Sequence, residues 1–462
     1  MARRVRGRYY PASPQPSKKE MNRSLDPAEL ESAAARLRPA NLAFAARYTG
    51  ETAQRQPVHT VYQGAQHFRH DAAAEHGRIA LEALREYGPG AHDFAHALGI
   101  AADEALYARV TEKLEHEPVE DFRVDFEDGY GYPSDDEEDA TAHAVADEMA
   151  RGMEAGTLPA YIGLRLKALN EELRPRSIRT LDLFLTRLLE RTGGRLPEGF
   201  ILTVPKVTIP EQAAFFADVL QMLETRLGLA DGALRFELMV EVPQAVLGAD
   251  GRTPLPAFLD AARGRLTAAH FGTYDYTSGL GITAAHQRMR HRACDFARHV
   301  MQVAFAGTGI WLSDGSTAVL PVPMHDSPGT DAERDENRDA VHRAWRMHFE
   351  DVQHSLVHGY YQGWDLHPAQ LPTRFAAVFA FFLAGRDAAA ARLRSFLAKA
   401  AQAGDSFDDP HAGQALLNFF LRGIASGAFT EDEVRTLTGL TDEELASRSF
   451  HHIRRFKAQP TV

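Results

Sequence analysis

The feature that most constrains this fold is an alternation of short apolar segments with helical patterns between residues 57 and 385. Eight segments are strand candidates: PVHTVYQG, DFRVDFED, AYIGLRLK, GFILTVPKV, RFELMVEV, AAHFGTYDY, GIWLSDGSTAVLPVP and GYYQGWDLHP. Helical patterns lie between most of them, such as ITAAHQRMRHRACDFARHVMQVAFAG, which has one apolar face. Repeated β–α units predict a parallel sheet, and eight units predict an α/β fold, the closed (β/α)8 TIM barrel.

A doubly wound open sheet is the alternative fold. Such sheets usually carry a glycine-rich phosphate fingerprint near the first strand. The sequence has no GxGxxG at a strand-to-helix junction and no GxxxxGK[ST]. These absences favour the barrel.

Segments outside the barrel lack the strand pattern. We predict an N-terminal helical extension over residues 21–56, the barrel over 57–385 and a C-terminal helical extension over 386–462. TEDEVRTL and TDEELASR each place Thr three residues before Glu, which predicts capping boxes at two helix starts. Residues 1–20 are basic and rich in Pro, Ser and Lys, which predicts a disordered tail or an over-called translation start. A basic tail that contacts a partner is the alternative.

Composition excludes several classes of protein. The chain has 462 residues, 44% hydrophobic and 25% charged, which is ordinary for a globular protein. Its net charge of -12 argues against a nucleic-acid partner, because phosphate binding needs clustered Lys and Arg. A single cysteine, Cys294, excludes a disulfide scaffold and fits a cytoplasmic location. No apolar run approaches the roughly 20 residues of a membrane span, so we expect no membrane partner.

Ionisable residues cluster where the predicted strands end. In TIM barrels the active site lies at the carboxyl ends of the strands, which makes strand-end residues the candidates for chemistry. From the second strand to the eighth they are Asp125, Glu127, Asp128, Arg165, Lys206, Glu241, Asp275, Asp314 and His367. Acids and bases therefore converge on one rim of the barrel.

Glu241 and Asp275 form the candidate metal site. They end neighbouring strands, whose axes lie roughly 5 Å apart, so both can reach one ion. Mg²⁺, with Mn²⁺ as an alternative, prefers one or two carboxylates together with water and substrate oxygens. Glu127 and Asp128 are placed to bind those waters, and Arg165 to bind a substrate carboxylate. The alternatives are an Arg165–Glu241 structural bridge, an ordinary acidic loop at DFED and a solvent-facing Lys206.

Six short motifs then carry a family resemblance. In their order along the chain, these motifs resemble those of the citrate lyase β-subunit-like and HpcH/HpaI aldolase family. They are VDFEDGYG, GLRLK, VPKV, VEVPQAV, FGTYDYTSGLG and GWDLHPAQL. That family belongs with malate synthase among the pyruvate/phosphoenolpyruvate-binding barrels, and the resemblance covers about residues 57 to 375. It implies a Mg²⁺-dependent barrel that makes or breaks a carbon–carbon bond beside a carbonyl, often with coenzyme A thioesters.

By motif position the resemblance implies roles for particular residues. Glu241 and Asp275 match the metal ligands, Arg165 matches the substrate-carboxylate arginine, and Glu127 and Asp128 match an acidic pair near the metal. The HP that contains His367 matches a structural position. The first strand reads VYQGAQHF where the family commonly has a VPA-like segment, and LRLKALN replaces VRVN. These departures leave contacts to coenzyme A open.

The leading functional prediction is a carbon–carbon lyase or aldolase that acts through a metal-stabilised enolate of a keto acid or acyl-CoA thioester. Arg165 and Asp314 are its candidate catalytic residues, with Asp314 or a metal-bound water transferring protons; Lys206 and Gly272 join Arg165 in substrate binding. The alternatives are malate-synthase-like Claisen condensation with thioester hydrolysis, phosphoryl transfer on an enolpyruvate, and a non-catalytic keto-acid-binding barrel. We expect a homo-oligomer.

Overall fold

The computed structural model describes residues 24–50, 54–403 and 410–457. The predicted tail over residues 1–20 lies outside these ranges. The chain divides into two compact units, Met1–Thr49 and Gly50–Val462. In the first, helix α1 spans Pro27–Arg47, and the carboxylate of Asp26 caps it by accepting hydrogen bonds from two backbone amides. None of the residues of this helix, all within the described range, is buried.

In the second unit, eight parallel strands close into a barrel in which each strand pairs with the next and the last pairs with the first. The strands are β1 His59–Gly64, β2 Asp121–Asp125, β3 Tyr161–Arg165, β4 Phe200–Val204, β5 Phe236–Val240, β6 Leu266–Phe271, β7 Trp311–Ser316 and β8 Gln362–Asp365. Each lies within its predicted segment or overlaps it. The predicted α/β TIM barrel with helical extensions is confirmed.

Helices surround the barrel and follow its last strand. They are α2 Ala72–Tyr87, α3 Ala91–Leu98, α4 Glu104–His116, α5 Asp135–Ala155, α6 Arg174–Thr192, α7 Pro210–Leu227, α8 Pro243–Val246, α9 Leu255–Ala261, α10 Thr273–Gly279, α11 Arg292–Phe305, α12 Asp331–Val357, α13 Leu371–Ala403, α14 Pro410–Ala425, α15 Glu431–Thr438, α16 Asp442–Ala446 and α17 Phe450–Lys457. Within the described residues, no helix has both the length and the apolar character that crossing a bilayer requires.

The C-terminal helices belong to the same compact unit as the barrel. Helix α13 runs without a break through residue 385, where the sequence pattern placed the end of the barrel, and it packs against α4 and α12. Both predicted capping boxes form, since the hydroxyls of Thr430 and Thr441 accept from the amides of Glu433 and Glu444.

Alternate residues of the strands point into the barrel and form a buried polar network below the strand ends. Along β2, Phe122 and Val124 belong to the apolar core, whereas Arg123 between them reaches across the interior to β4 and β5. The buried guanidinium of Arg123 donates to both carboxylate oxygens of Glu237 at 3.0 Å and to the hydroxyl of Thr203 at 3.0 Å. A hydrogen-bonded polar network of this kind fixes its members in one arrangement. It lies below the strand ends that carry the candidate site, since Glu237 precedes Glu241 by four residues.

Candidate active site

Five ionisable side chains meet at the carboxyl ends of β2, β4, β5 and β6. We call them the rim cluster: Glu127, Asp128, Lys206, Glu241 and Asp275. The ammonium of Lys206 contacts Glu127, lies 3.1 Å from each carboxylate oxygen of Asp128, and lies 3.2 Å from Oδ2 of Asp275. Successive parallel strands therefore bring together the predicted metal ligands, the predicted acidic pair and a predicted substrate-binding lysine.

Glu241 is held by the backbone on both sides. It follows the last residue of β5, and its Oε1 accepts a 2.8 Å hydrogen bond from the amide of Lys206 at the end of β4. On β6, the amide of Gly272 donates to the carbonyl of Val240 at 3.1 Å, so the ladder continues one residue past the strands. A Cβ on Gly272 would lie 2.3 Å from the Cβ of Glu241. Gly272, predicted to bind substrate, also leaves the space that Glu241 fills.

The cluster carries an excess of negative charge. It has four carboxylates and one ammonium, while the nearby Arg165 is already paired with Asp125. Burial, together with the charges of Glu127 and Asp275, raises the pKa of Glu241 to about 7 against the opposing charge of Lys206. A carboxyl group with this pKa is only partly ionised near neutral pH. Such a site is stabilised by an added cation.

This donor set fits a hard divalent cation. Within the described ranges, no three His, Cys, Asp or Glu side chains already form a metal-binding group. Mg²⁺ does not need one, because it usually takes one or two protein carboxylates and keeps several waters. Glu241, 3% exposed, and Asp275, with its side chain 45% exposed, offer one buried and one solvent-facing carboxylate, the first bonded to the amide of Lys206 and the second beside its ammonium. The residues present therefore fit the predicted ion.

Arg165 lies beside the cluster and is already partly occupied. It is the register partner of Asp125, and its Nε donates to Oδ1 of that carboxylate at 2.7 Å while Nη2 contacts Oδ2. The ring of Tyr62 covers one face of the guanidinium, with the Cζ of Arg165 4.9 Å from the ring centroid. Its Nη1 points toward the cluster, 3.4 Å from Oε2 of Glu127. The alternative Arg165–Glu241 bridge does not form, since Asp125 takes that role.

The loop after β2 is closed by a residue that the sequence did not single out for a role. Lys167 donates to the carbonyls of Phe126 at 2.6 Å and Gly131 at 3.0 Å, and it pairs with Glu138 at 3.1 Å. These contacts clamp both ends of the segment that presents Glu127. The signal was the departure from the family pattern, LRLK where VRVN is usual, which introduces a lysine two residues after Arg165.

Tyr62 was also missed. It lies on β1 two residues from Thr60, whose hydroxyl bonds the inward-facing Asp121, and its ring lies 5.0 Å from that of Trp364 on β8. Strand periodicity alone would have placed it inside the barrel mouth. The two rings form an aromatic wall beside Arg165.

Asp314 does not join the cluster. Its buried carboxylate is bound by Nε of Arg298 at 2.8 and 2.9 Å and by the hydroxyl of Ser355 at 2.5 Å. Both oxygens of the Asp314 carboxylate are therefore bonded to Arg298 and Ser355 in the wall of the barrel. These contacts give the predicted proton-transfer role no support. His367 accepts from the amide of Ala369 at 3.1 Å, which matches the structural role that the HP motif implies.

The chain is similar to several enzymes of known structure. A citrate lyase from Burkholderia xenovorans LB400 aligns at 17% sequence identity with a TM-score of 0.50, over 83% of this chain and 96% of that chain. Malate synthase of Haloferax volcanii aligns in its magnesium/glyoxylate complex at 14% identity and a TM-score of 0.44, over 89% of this chain and 100% of that one. Its pyruvate/acetyl-CoA ternary complex aligns at 15% identity and a TM-score of 0.43, over 71% of each chain.

At 17% identity the likeness to the citrate lyase shows a common fold. No curated protein matches the chain. The resemblance to the citrate lyase β-subunit-like and HpcH/HpaI family therefore stands at the level of the barrel. A family model matches residues 37–453, most of the chain, and the chain belongs to that family, which is described as a domain of unknown function (DUF6986).

Proposed function

We propose that this protein is a Mg²⁺-dependent carbon–carbon lyase or aldolase whose substrate is an enolisable keto acid or acyl thioester. The observation that carries the proposal is that Lys206 contacts both acids, Glu241 through its backbone amide and Asp275 through its ammonium, beside an arginine whose Nη1 faces the cluster. Two carboxylates from neighbouring strands and a guanidinium are the groups that such a substrate needs.

Glu241 and Asp275 are the residues that would hold the ion. When bound, Mg²⁺ supplies Lewis-acid stabilisation for the negative charge that develops on a carbonyl oxygen as the carbon–carbon bond breaks. The amide of Lys206 fixes one oxygen of Glu241, which leaves Oε2 as the ligand atom. Glu127 and Asp128 lie next to these ligands and are placed to accept hydrogen bonds from water around the ion.

Arg165 would orient the substrate. Asp125 holds the Nε and Nη2 side of its guanidinium, which leaves Nη1 directed at the rim cluster. A substrate carboxylate bound there places the adjacent carbonyl toward Glu241 and Asp275. The rings of Tyr62 and Trp364 border Arg165 with apolar surface. Excluding water there strengthens the charge interactions of the site.

Titration calorimetry with Mg²⁺ tests the metal site. Wild type, Glu241→Gln and Asp275→Asn are compared, with Glu211→Gln as a control in which an exposed acid outside the cluster is neutralised. We expect saturable binding to wild type and the control, and at least about tenfold weaker binding to the two cluster variants, since each removes a charged ligand. Equal affinity in all four proteins would reject the site.

A substrate screen tests the reaction and separates the alternatives. Oxaloacetate is offered for cleavage and pyruvate as a condensation partner, each with Mg²⁺ and with or without an acyl-CoA thioester, and the cleavage and condensation products are measured. Cleavage without a thioester supports the lyase or aldolase; a strict thioester requirement with release of free coenzyme A indicates Claisen condensation instead. Mg²⁺-dependent binding without turnover of any compound points to the non-catalytic keto-acid-binding barrel.

A further inference from the structure

Lys206 has an unusual backbone. It is one of three non-glycine residues with positive φ in the described part of the chain, with φ of 50°; the others are Arg263 and Arg448. The left-handed conformation is unfavourable for a residue with a Cβ and persists where surrounding contacts determine it. At Lys206 this conformation has two results. The amide points at Glu241, and the side chain points into the rim cluster.

The side chain of Lys206 joins acids from separate segments. Its ammonium contacts Glu127 and Asp128, which follow β2, and Asp275, which lies in the first turn of α10 after β6. One of these partners, Asp275, is a proposed metal ligand. The ammonium also interacts with Glu241, the second proposed ligand. A single positive charge is therefore placed among the carboxylates that a divalent cation would use.

We propose that Lys206 is a tethered counter-ion that competes with the divalent cation, so that binding of the cation exchanges the ammonium of Lys206 out of the acid cluster. The proposed exchange rests on the Mg²⁺ site proposed above, and it names the group that sets the affinity of that site for Mg²⁺. The exchange breaks no covalent bond: the divalent ion takes the carboxylates, and the ammonium, still charged, turns toward the barrel mouth. Its side chain is already 30% exposed, so it has a path to solvent.

Two physical consequences follow. Without a divalent cation, the ammonium of Lys206 stabilises three carboxylates, those of Glu127, Asp128 and Asp275, that would otherwise repel one another. When Mg²⁺ is present, the positive charge of the Lys206 ammonium opposes its binding, and the two cations compete for the same carboxylates. The affinity for Mg²⁺ is therefore lower than the carboxylates alone would give. Removing the ammonium should lower the stability of the metal-free protein and tighten Mg²⁺ binding.

Two variants of the full chain separate charge from backbone. Lys206→Met keeps the strained backbone and removes the ammonium, whereas Lys206→Gly removes the ammonium and relieves the strain. We expect both to bind Mg²⁺ about tenfold tighter than wild type or more by calorimetry, with a lower midpoint of thermal unfolding in the metal-free Met variant. Lys206→Arg, which keeps the charge, should stay near wild type.

Chemical labelling tests the exchange directly. Reductive methylation of the wild-type chain with and without Mg²⁺, read by mass spectrometry, reports how accessible each lysine amine is. We expect the labelling rate of Lys206 to rise several-fold with Mg²⁺, while exposed Lys399 and buried Lys167 keep their rates.

The outcomes distinguish this inference from the proposed function. If wild type binds no Mg²⁺, the metal site and the exchange both fail. If wild type binds Mg²⁺ but Lys206→Met binds it equally or more weakly, the exchange is overturned and the metal site stands. The exchange is likewise overturned if labelling of Lys206 does not respond to Mg²⁺. Tighter binding in Lys206→Gly alone would assign the effect to backbone strain and would also overturn it.

Discussion

The amide of Lys206 donates a 2.8 Å hydrogen bond to Oε1 of Glu241, so the second residue past β4 orients the acid that directly follows β5. This contact joins backbone to side chain and does not depend on where the lysine ammonium lies. It leaves the second oxygen of Glu241 beside Gly272. The geometry of the proposed ligand is therefore set by two neighbouring strand ends, and changes at either end should alter it.

Gly272→Ala should disable the cluster by crowding it. The added Cβ would lie 2.3 Å from the Cβ and 2.4 Å from Oε2 of Glu241, too close for the carboxylate to stay in place. We expect at least about tenfold weaker Mg²⁺ binding by calorimetry, because the ligand is displaced, and a loss of roughly 1–3 kcal/mol in unfolding free energy from overpacking. Gly90→Ala is the control, since its Cβ would meet no atom within 4 Å. Normal Mg²⁺ affinity in Gly272→Ala would contradict the placement of Glu241.

Arg165→Ala and Arg165→Lys should differ in stability. Alanine leaves the buried carboxylate of Asp125 with two backbone amide donors but without its charged partner, which costs roughly 3–5 kcal/mol in unfolding free energy. Lysine keeps the charge but loses the planar fork, so we expect a folded protein that binds pyruvate at least about tenfold more weakly. Urea unfolding and pyruvate titration check the two effects, with the exposed Arg179→Lys as control. Unchanged pyruvate affinity in Arg165→Lys would remove the assigned role.

The sequence predicted the barrel well because each strand signal is local. Eight apolar segments separated by helical patterns were enough to give the strand order, and strand-end position was enough to bring Glu241, Asp275, Glu127, Asp128 and Lys206 together. The pairing of side chains was less predictable. Asp125 takes one side of Arg165 because the two are register partners, and Arg298 takes Asp314 from a helix that follows β6. Which side chains pair depends on packing between distant segments of the chain. The homo-oligomer stays a prediction.

Stability should fall in acid as Glu117 loses its charge. Burial opposes ionisation, but hydrogen bonds from Arg55 and Lys113 outweigh it and lower the pKa of Glu117 to about 2. Because this value lies below the unfolded pKa of about 4.5, the ion pairs stabilise the fold above pH 4.5, and that stabilisation is lost as pH falls toward 2. With a third of the side chain exposed, we expect a contribution of about 1 kcal/mol or less.

Urea unfolding of wild type and Glu117→Gln at several pH values measures this contribution. The difference between the two proteins should be largest at neutral pH and should shrink below pH 4.5, because the wild-type carboxylate becomes protonated as the protein unfolds. A difference that stays constant from pH 7 to pH 3 would show that charge at Glu117 is not its source.

Asp314→Asn should reduce stability without changing metal binding. The carboxylate is buried, takes two contacts at 2.8 and 2.9 Å from Arg298 and a third from Ser355, and belongs to the barrel wall and not to the rim cluster. Neutralising it leaves the buried guanidinium of Arg298 with Asp295 as its remaining acidic partner, so we expect a cost of at most roughly 3–5 kcal/mol in unfolding free energy. Asp218→Asn is a matched control, since it breaks an Asp–Arg pair whose two side chains are each 53% exposed and should cost about 1 kcal/mol or less. Calorimetry on the folded Asp314→Asn protein should give the wild-type affinity for Mg²⁺. A variant that kept wild-type stability and lost only turnover would instead restore Asp314 as the proton-transfer residue.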